Sequence, residues 1–164
     1  MDFQTLIASD MRKVDQVIES RLVSEVALVG QVARYIIHSG GKRLRPALVL
    51  LSSGAIGSEH PQRHSLAAVV EFIHTATLLH DDVVDESSLR RGRQTANEAF
   101  GNAASVLVGD FLYSLAFQMM VDADNMSIMR SLADATTVIA DGEVLQLIYH
   151  QNAEITQHAY PPGM

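Results

Sequence analysis

Asp81 and Asp85 stand four residues apart, and on a helix that spacing stacks their carboxylates on one face within reach of a shared cation. His74 comes seven residues before Asp81 and eleven before Asp85. At about 100° per residue, the three lie within roughly 40° of one another around the axis. The flanking Leu66, Val69, Val70, Ile73, Leu78, Leu79, Val83 and Val84 are apolar, so this polar stripe should line a cavity between helices. With Asp82, three carboxylates crowd into five residues, and a divalent cation would relieve their repulsion. Oxygen ligands that leave positions for water and phosphate oxygens describe Mg²⁺. An Asp pair taken alone would read more plainly as a solvated helix end.

Two short cation clusters argue for more than that. Arg90, Arg91 and Arg93 follow the aspartates closely, and Lys42, Arg43 and Arg45 stand where an earlier helix should begin. Arg pairs bidentately with phosphate oxygens, and free N–H groups at a helix start add to the affinity for anions. Each cluster alone would pass for a surface patch. Together with the aspartates they suggest two diphosphate pockets, one bridged through metal and one held directly by cations. A metal-dependent phosphohydrolase is a second reading, prompted by the His80-Asp81 doublet near His74 and His64. Such sites need ligands on several helices, and His80 lies about 100° around the axis from Asp81, so it is expected to hydrogen-bond nearby. His38, His60, His64, His150 and His158 show no ligand spacing and are expected at the surface.

The elements that must position these residues are helical. Hydrophobic residues make up 48% of the chain and aromatics only 5%, with Ala, Leu, Val and Ile carrying the apolar share, a mixture suited to packed helices. Helical spacing runs through 3–37 in two helices that Ser39-Gly40-Gly41 ends. A further helix should start at Pro46 and end at Gly57-Ser58, and the aspartate helix should span 63–85. The charged stretch 86–94 breaks it, and helices follow at about 103–121 and 126–149. Residues 1–150 form one domain, and the tail 151–164 should fray.

Without Cys, a disulfide framework, a thiolate zinc site and a cysteine nucleophile are excluded. A formal charge of −7 provides no overall positive field for nucleic acid or an anionic bilayer. The N-terminus lacks the pattern of a signal peptide, and no apolar run is expected to reach the length of a membrane span. A soluble, cytoplasmic protein is expected.

Gly40-Gly41-Lys42-Arg43-Leu44-Arg45-Pro46, His74, and Leu79-His80-Asp81-Asp82-Val83-Val84-Asp85 leading into Arg90-Arg91-Gly92 closely resemble the trans-isoprenyl diphosphate synthases, above all the long-chain members. Gly109-Asp110 and Gly142-Glu143-Val144-Leu145-Gln146 follow in the expected order. The resemblance implies an antiparallel bundle of the isoprenoid synthase type, of which this chain would be the N-terminal half. It implies that Asp81 and Asp85, with Asp82 beside them, hold Mg²⁺ that clamps an allylic diphosphate contacted by Arg90. Lys42, Arg45, His74 and Arg91 would hold isopentenyl diphosphate, and Gln146 would face the cavity. The product would grow beside the aspartate helix past Ala76 and Thr77, whose small side chains leave room for a long chain. Such synthases usually dimerise through helices of this half, and contact with membranes would be peripheral, through the lipid product.

The family's second aspartate-rich motif and its later lysines have no counterpart here, the only lysines being Lys13 and Lys42. The chain alone should therefore lack a closed active site. A non-catalytic subunit that pairs with an intact synthase is the alternative of another class.

Overall fold

In a computed structural model the described residues are 3–149. They form α1 (Phe3–Arg21), α2 (Ala27–Ile37), α3 (Leu44–Ala55), α4 (Arg63–Val84), the two-residue strands β1 (Leu89–Arg90) and β2 (Arg93–Gln94), α5 (Ala96–Phe100), α6 (Asn102–Asp122) and α7 (Met126–Tyr149). The chain is all-α, as its composition requires. The expectations for the tail 151–164, His150 and His158 lie outside the described residues.

The described residues fall into two compact units, the first ending at Asp124 and the second beginning at Asn125. Within the first, α4 is the hub, packing against α1, α2, α3, α5 and α6. Ala67, Ala68 and Ala76 are fully buried on α4 and let neighbouring backbones approach, while Val69, Phe72 and Leu79 fill the space between them. Val14, Ile18 and Leu22, spaced by four, supply the matching stripe from α1 and the residue just beyond its end. Each large apolar side chain enclosed in this way contributes about 1.5–3 kcal/mol. In the second unit, the Asn125 side-chain oxygen accepts N–H bonds from Ser127 (3.0 Å) and Ile128 (3.2 Å), capping α7.

One expectation needs correcting. By length and composition α6 is long and apolar enough to cross a membrane, with a mean hydropathy of 1.5. Nearly half of that stretch (44%) is buried within the protein, and α2, α4 and α5 pack on it. Its even apolarity thus fits a core helix covered from several sides.

Two boundaries also differ. Helix α3 begins two residues before Pro46, which occupies its first turn, where a missing N–H costs nothing. Helix α4 ends at Val84 with Asp85 as its C-cap. The hairpin and α5 were not expected, because 86–100 lacks a long apolar period. Side-chain hydrogen bonds within the segment close it on itself: Thr95 Oγ1 donates to Ser87 O (2.7 Å), and Asn97 Nδ2 donates to the same oxygen (3.2 Å).

Candidate functional site

The loop before α3 and the tip of the hairpin face one pocket of about 520 Å³. Its lining brings together Gly41, Lys42, Arg45, His74 and Arg91, joined by the Arg43–Glu71 pair. The backbone that delivers these groups is unusual. Arg43, the N-cap of α3, has φ 49°, and Arg91 has φ 54°, both left-handed conformations that a side chain with a Cβ adopts at a cost. Pairing of Leu89 with Gln94 and Arg90 with Arg93 leaves Arg91-Gly92 as a two-residue turn, with Gly92 also at positive φ (76°). Two consecutive positive φ values define the mirror-image turn that suits the twist of a hairpin. The turn carries the Arg91 guanidinium to Gly41, where an added Cβ would lie 2.6 Å from one of its nitrogens. Gly41 is therefore small because a cation occupies the space above it.

The pocket's charge is largely uncompensated. Arg43 is neutralised by Glu71 at 3.1 Å, with Asp15 at 4.0 Å. Among the described residues no carboxylate forms an ion pair with Lys42, Arg45 or Arg91. Burial first, then the charges of Arg45, Arg91 and Arg90, push His74 down to about 4. At neutral pH it is an uncharged imidazole offering one N–H donor and one lone pair. Three cations and a neutral donor around a concave space suit a polyanion with several acceptor oxygens.

The aspartates lie farther along the same helix. From His74 to Asp81 is about 10 Å of axial rise. The Asp85 N–H donates to Asp81 O (2.8 Å), so the two residues are one turn apart; Asp81 is half-buried and Asp85 exposed. Asp82, expected beside them, is instead turned into the core with 0% exposure. Its carboxylate receives Arg90 Nε (3.0 and 3.2 Å) and Nη2 (2.8 Å) in a fork-to-fork pair. Arg90, expected to face a diphosphate, is thus held by Asp82 at one edge of its guanidinium. Among the described residues no group of three or more His, Asp or Glu side chains could hold a metal ion. The Asp81/Asp85 pair still supplies two hard oxygen donors, a set that fits Mg²⁺ completing its shell with water and phosphate oxygens.

The sequence pattern of the polyprenyl synthetase family matches residues 26–161. The chain belongs to this family. It is 52% identical over 155 residues to octaprenyl diphosphate synthase of Escherichia coli (strain K12), covering 94% of this chain and 48% of that protein. The polyprenyl synthetase chain thus spans about half the length of the curated relatives it matches. Its fold is shared with a decaprenyl diphosphate synthase from Rhodobacter capsulatus, at TM-score 0.92 and 51% identity over 96% of this chain and 49% of the other. A polyprenyl synthase from Caulobacter crescentus CB15, complexed with calcium and isoprenyl diphosphate, superposes at TM-score 0.93 and 46% identity, covering 96% of this chain and 48% of that one.

The other residues singled out in the sequence lie outside the pocket lining. His80 hydrogen-bonds nearby as expected, its Nε2 lying 3.2 Å from Asp110 Oδ1 and 3.3 Å from Val106 O. Its ring rests directly on Gly109, which explains the Gly109-Asp110 pair: a glycine to admit the ring and a carboxylate to hold it. Ala76 is completely enclosed, whereas Thr77 is half-buried and donates its hydroxyl to His74 O (2.9 Å). Gln146 lies on α7, outside the unit that contains the pocket. Sequence reasoning missed Glu71, which neutralises Arg43, and Tyr35, which holds the hairpin. A Glu on an apolar helix facing an Arg cluster was an available signal for the first, and nothing local signalled the second.

Proposed function

We propose that this chain provides half of an Mg²⁺-dependent trans-prenyl diphosphate synthase that condenses isopentenyl diphosphate with an allylic diphosphate to build a long all-trans polyprenyl diphosphate. One observation carries the reading: a pocket of three uncompensated cations and a neutral His74 sits on the same helix as the Asp81/Asp85 pair, about 10 Å away. That spacing suits two diphosphates held side by side.

In this reading Lys42, Arg45 and Arg91 bind the isopentenyl diphosphate, and His74 donates its single N–H to it. Asp81 and Asp85 would hold Mg²⁺, which when bound supplies the charge that stabilises a departing diphosphate. Asp82 aims Arg90 at the same leaving group. The allylic C–O bond breaks as diphosphate leaves, the isopentenyl double bond forms the new C–C bond, and a proton is lost from the isopentenyl unit. Apolar faces of the surrounding helices exclude water that would capture the cation. The proposal extends to a cytoplasmic enzyme working as a homodimer or heteromer through its helices, which sedimentation equilibrium would test. It also extends to Gln146 touching substrate and to Ala76 and Thr77 setting product length.

Isothermal titration with a non-hydrolysable allylic diphosphate analogue, with and without Mg²⁺, tests the site. Mg²⁺-dependent binding that disappears in an Asp81→Ala/Asp85→Ala chain is expected. Binding without turnover of the two substrates would make the chain a non-catalytic subunit; a folded chain that binds no diphosphate would sink the reading.

A further inference from the structure

The hairpin that presents Arg91 is too small to hold its own shape, since its two strands have two residues each and an isolated hairpin is marginal in water. Its first strand is tied to α4 through Arg90 and Asp82. Its second strand is tied to α2 through the side chains of Tyr35 and Arg93. Tyr35 donates its hydroxyl to Gln94 O (2.8 Å), and the Arg93 guanidinium lies over the Tyr35 ring at 5.5 Å from its centroid. Arg93 also donates to His38 O (3.4 Å), at the C-cap of α2. Phe100 packs against the Tyr35 ring in an edge-to-face arrangement, at 5.2 Å between centroids and 79°.

Neither Tyr35 nor Arg93 lines the pocket. They grip the strand immediately after the Arg91-Gly92 turn, however, and that turn is in a costly left-handed conformation. A strained turn keeps its geometry only if the strands on both sides are held.

From this we infer that Tyr35 is a positioning residue for the anion pocket: by clamping β2 against α2 it fixes the turn that holds the Arg91 guanidinium over Gly41. The inference rests on the diphosphate reading of that pocket. Releasing the clamp would leave Arg91 to be ordered at the moment of binding, a loss of preorganisation that weakens the anion by about fivefold.

The test is isothermal titration of the full chain with inorganic diphosphate in the absence of Mg²⁺, using Tyr35→Ala, Tyr35→Phe and Arg93→Ala, each alone and combined with Arg91→Ala. Tyr35→Ala should weaken binding about fivefold. Tyr35→Phe keeps the ring beneath Arg93 and against Phe100, so it should weaken binding less. All three effects should vanish when Arg91 is already alanine, because a residue that acts through another has nothing left to position. Equal losses with and without the Arg91 side chain would show that Tyr35 merely supports the fold, and no loss in the chain that retains Arg91 would equally overturn the inference. If Tyr35→Ala unfolds, the milder Tyr35→Phe and Arg93→Ala variants decide by the same comparison. If Arg91→Ala alone leaves affinity unchanged, the pocket's diphosphate reading fails, an outcome distinct from failure of the clamp and fatal to both.

Discussion

Asp82, in the middle of the aspartate motif, has a structural partner of its own in Arg90. The carboxylate is fully buried and its oxygens face a single guanidinium, so removing the arginine strands a charge in the core. Arg90→Ala is expected to destabilise the chain by about 3–5 kcal/mol, read as a lower urea midpoint. Truncating the other partner should cost less, because Arg90 is partly exposed and can return to water. The imidazole of His74 makes a second prediction. It sits at about 4, below its ordinary 6.5, so between those values the unfolded chain binds the extra proton. Stability should therefore fall as pH drops from 6.5 toward 4, and His74→Gln should flatten that part of the urea-midpoint profile. Asp10 acts in a lower window. Its carboxyl is lowered from 3.8, chiefly by the hydrogen bond from His64, so its contribution is present above that value and lost only in stronger acid.

At the scale of elements, two glycines mark where helices and hairpin touch, and they predict opposite outcomes. A Cβ at Gly109 would collide with the His80 ring, which is wedged between α4 and α6 and held by Asp110. Gly109→Ala should cost about 1–3 kcal/mol in stability by forcing those helices apart, measurable by thermal unfolding. At Gly41 the new methyl would meet only the far end of Arg91, which can swing aside. Gly41→Ala should leave the unfolding midpoint nearly unchanged while weakening diphosphate binding. The aspartate helix imposes a similar conflict. Ala76 is enclosed by its neighbours, so Ala76→Tyr overpacks the unit by about 1–3 kcal/mol whatever it does to product length. Thr77, half-buried, is the safer position for the same experiment. In a synthase of full family length, a large aromatic at either position should shorten the products seen by chromatography, and unchanged lengths would remove both residues from that role.

For the molecule as a whole, the division after Asp124 carries its own prediction. Every residue lining the cation pocket, together with Tyr35, Asp81, Asp82 and Asp85, belongs to the first unit. A chain ending at Asp124 should therefore bind inorganic diphosphate within about twofold of the full chain by titration. A larger loss would assign part of the pocket to residues beyond Asp124. Gln146 shares a chain with the pocket but belongs to the other compact unit.

The sequence by itself determined what depends on neighbours along a helix. The 3.6-residue period placed α4 and α7 almost to the residue, and the four-residue spacing of Asp81 and Asp85 put them one turn apart; the reading of two separate cation clusters, however, did not foresee that Arg91 lines one pocket with Lys42 and Arg45. Only the tertiary structure decided what depends on groups distant in the chain. Spacing put Asp82 about 100° from Asp81 but could not say that Arg90 would fold back and claim it. Mean hydropathy could not separate a core helix from a membrane span in α6, because both are rich in apolar residues and only the packing of neighbouring helices shows which of them are covered. Neither could local pattern reveal the hairpin, whose turn is costly on its own and is held by Tyr35 from a helix some sixty residues earlier in the chain, 59 from the hydroxyl's partner at Gln94. Such contacts form only after the chain has collapsed, and for that reason no window of the sequence contains them.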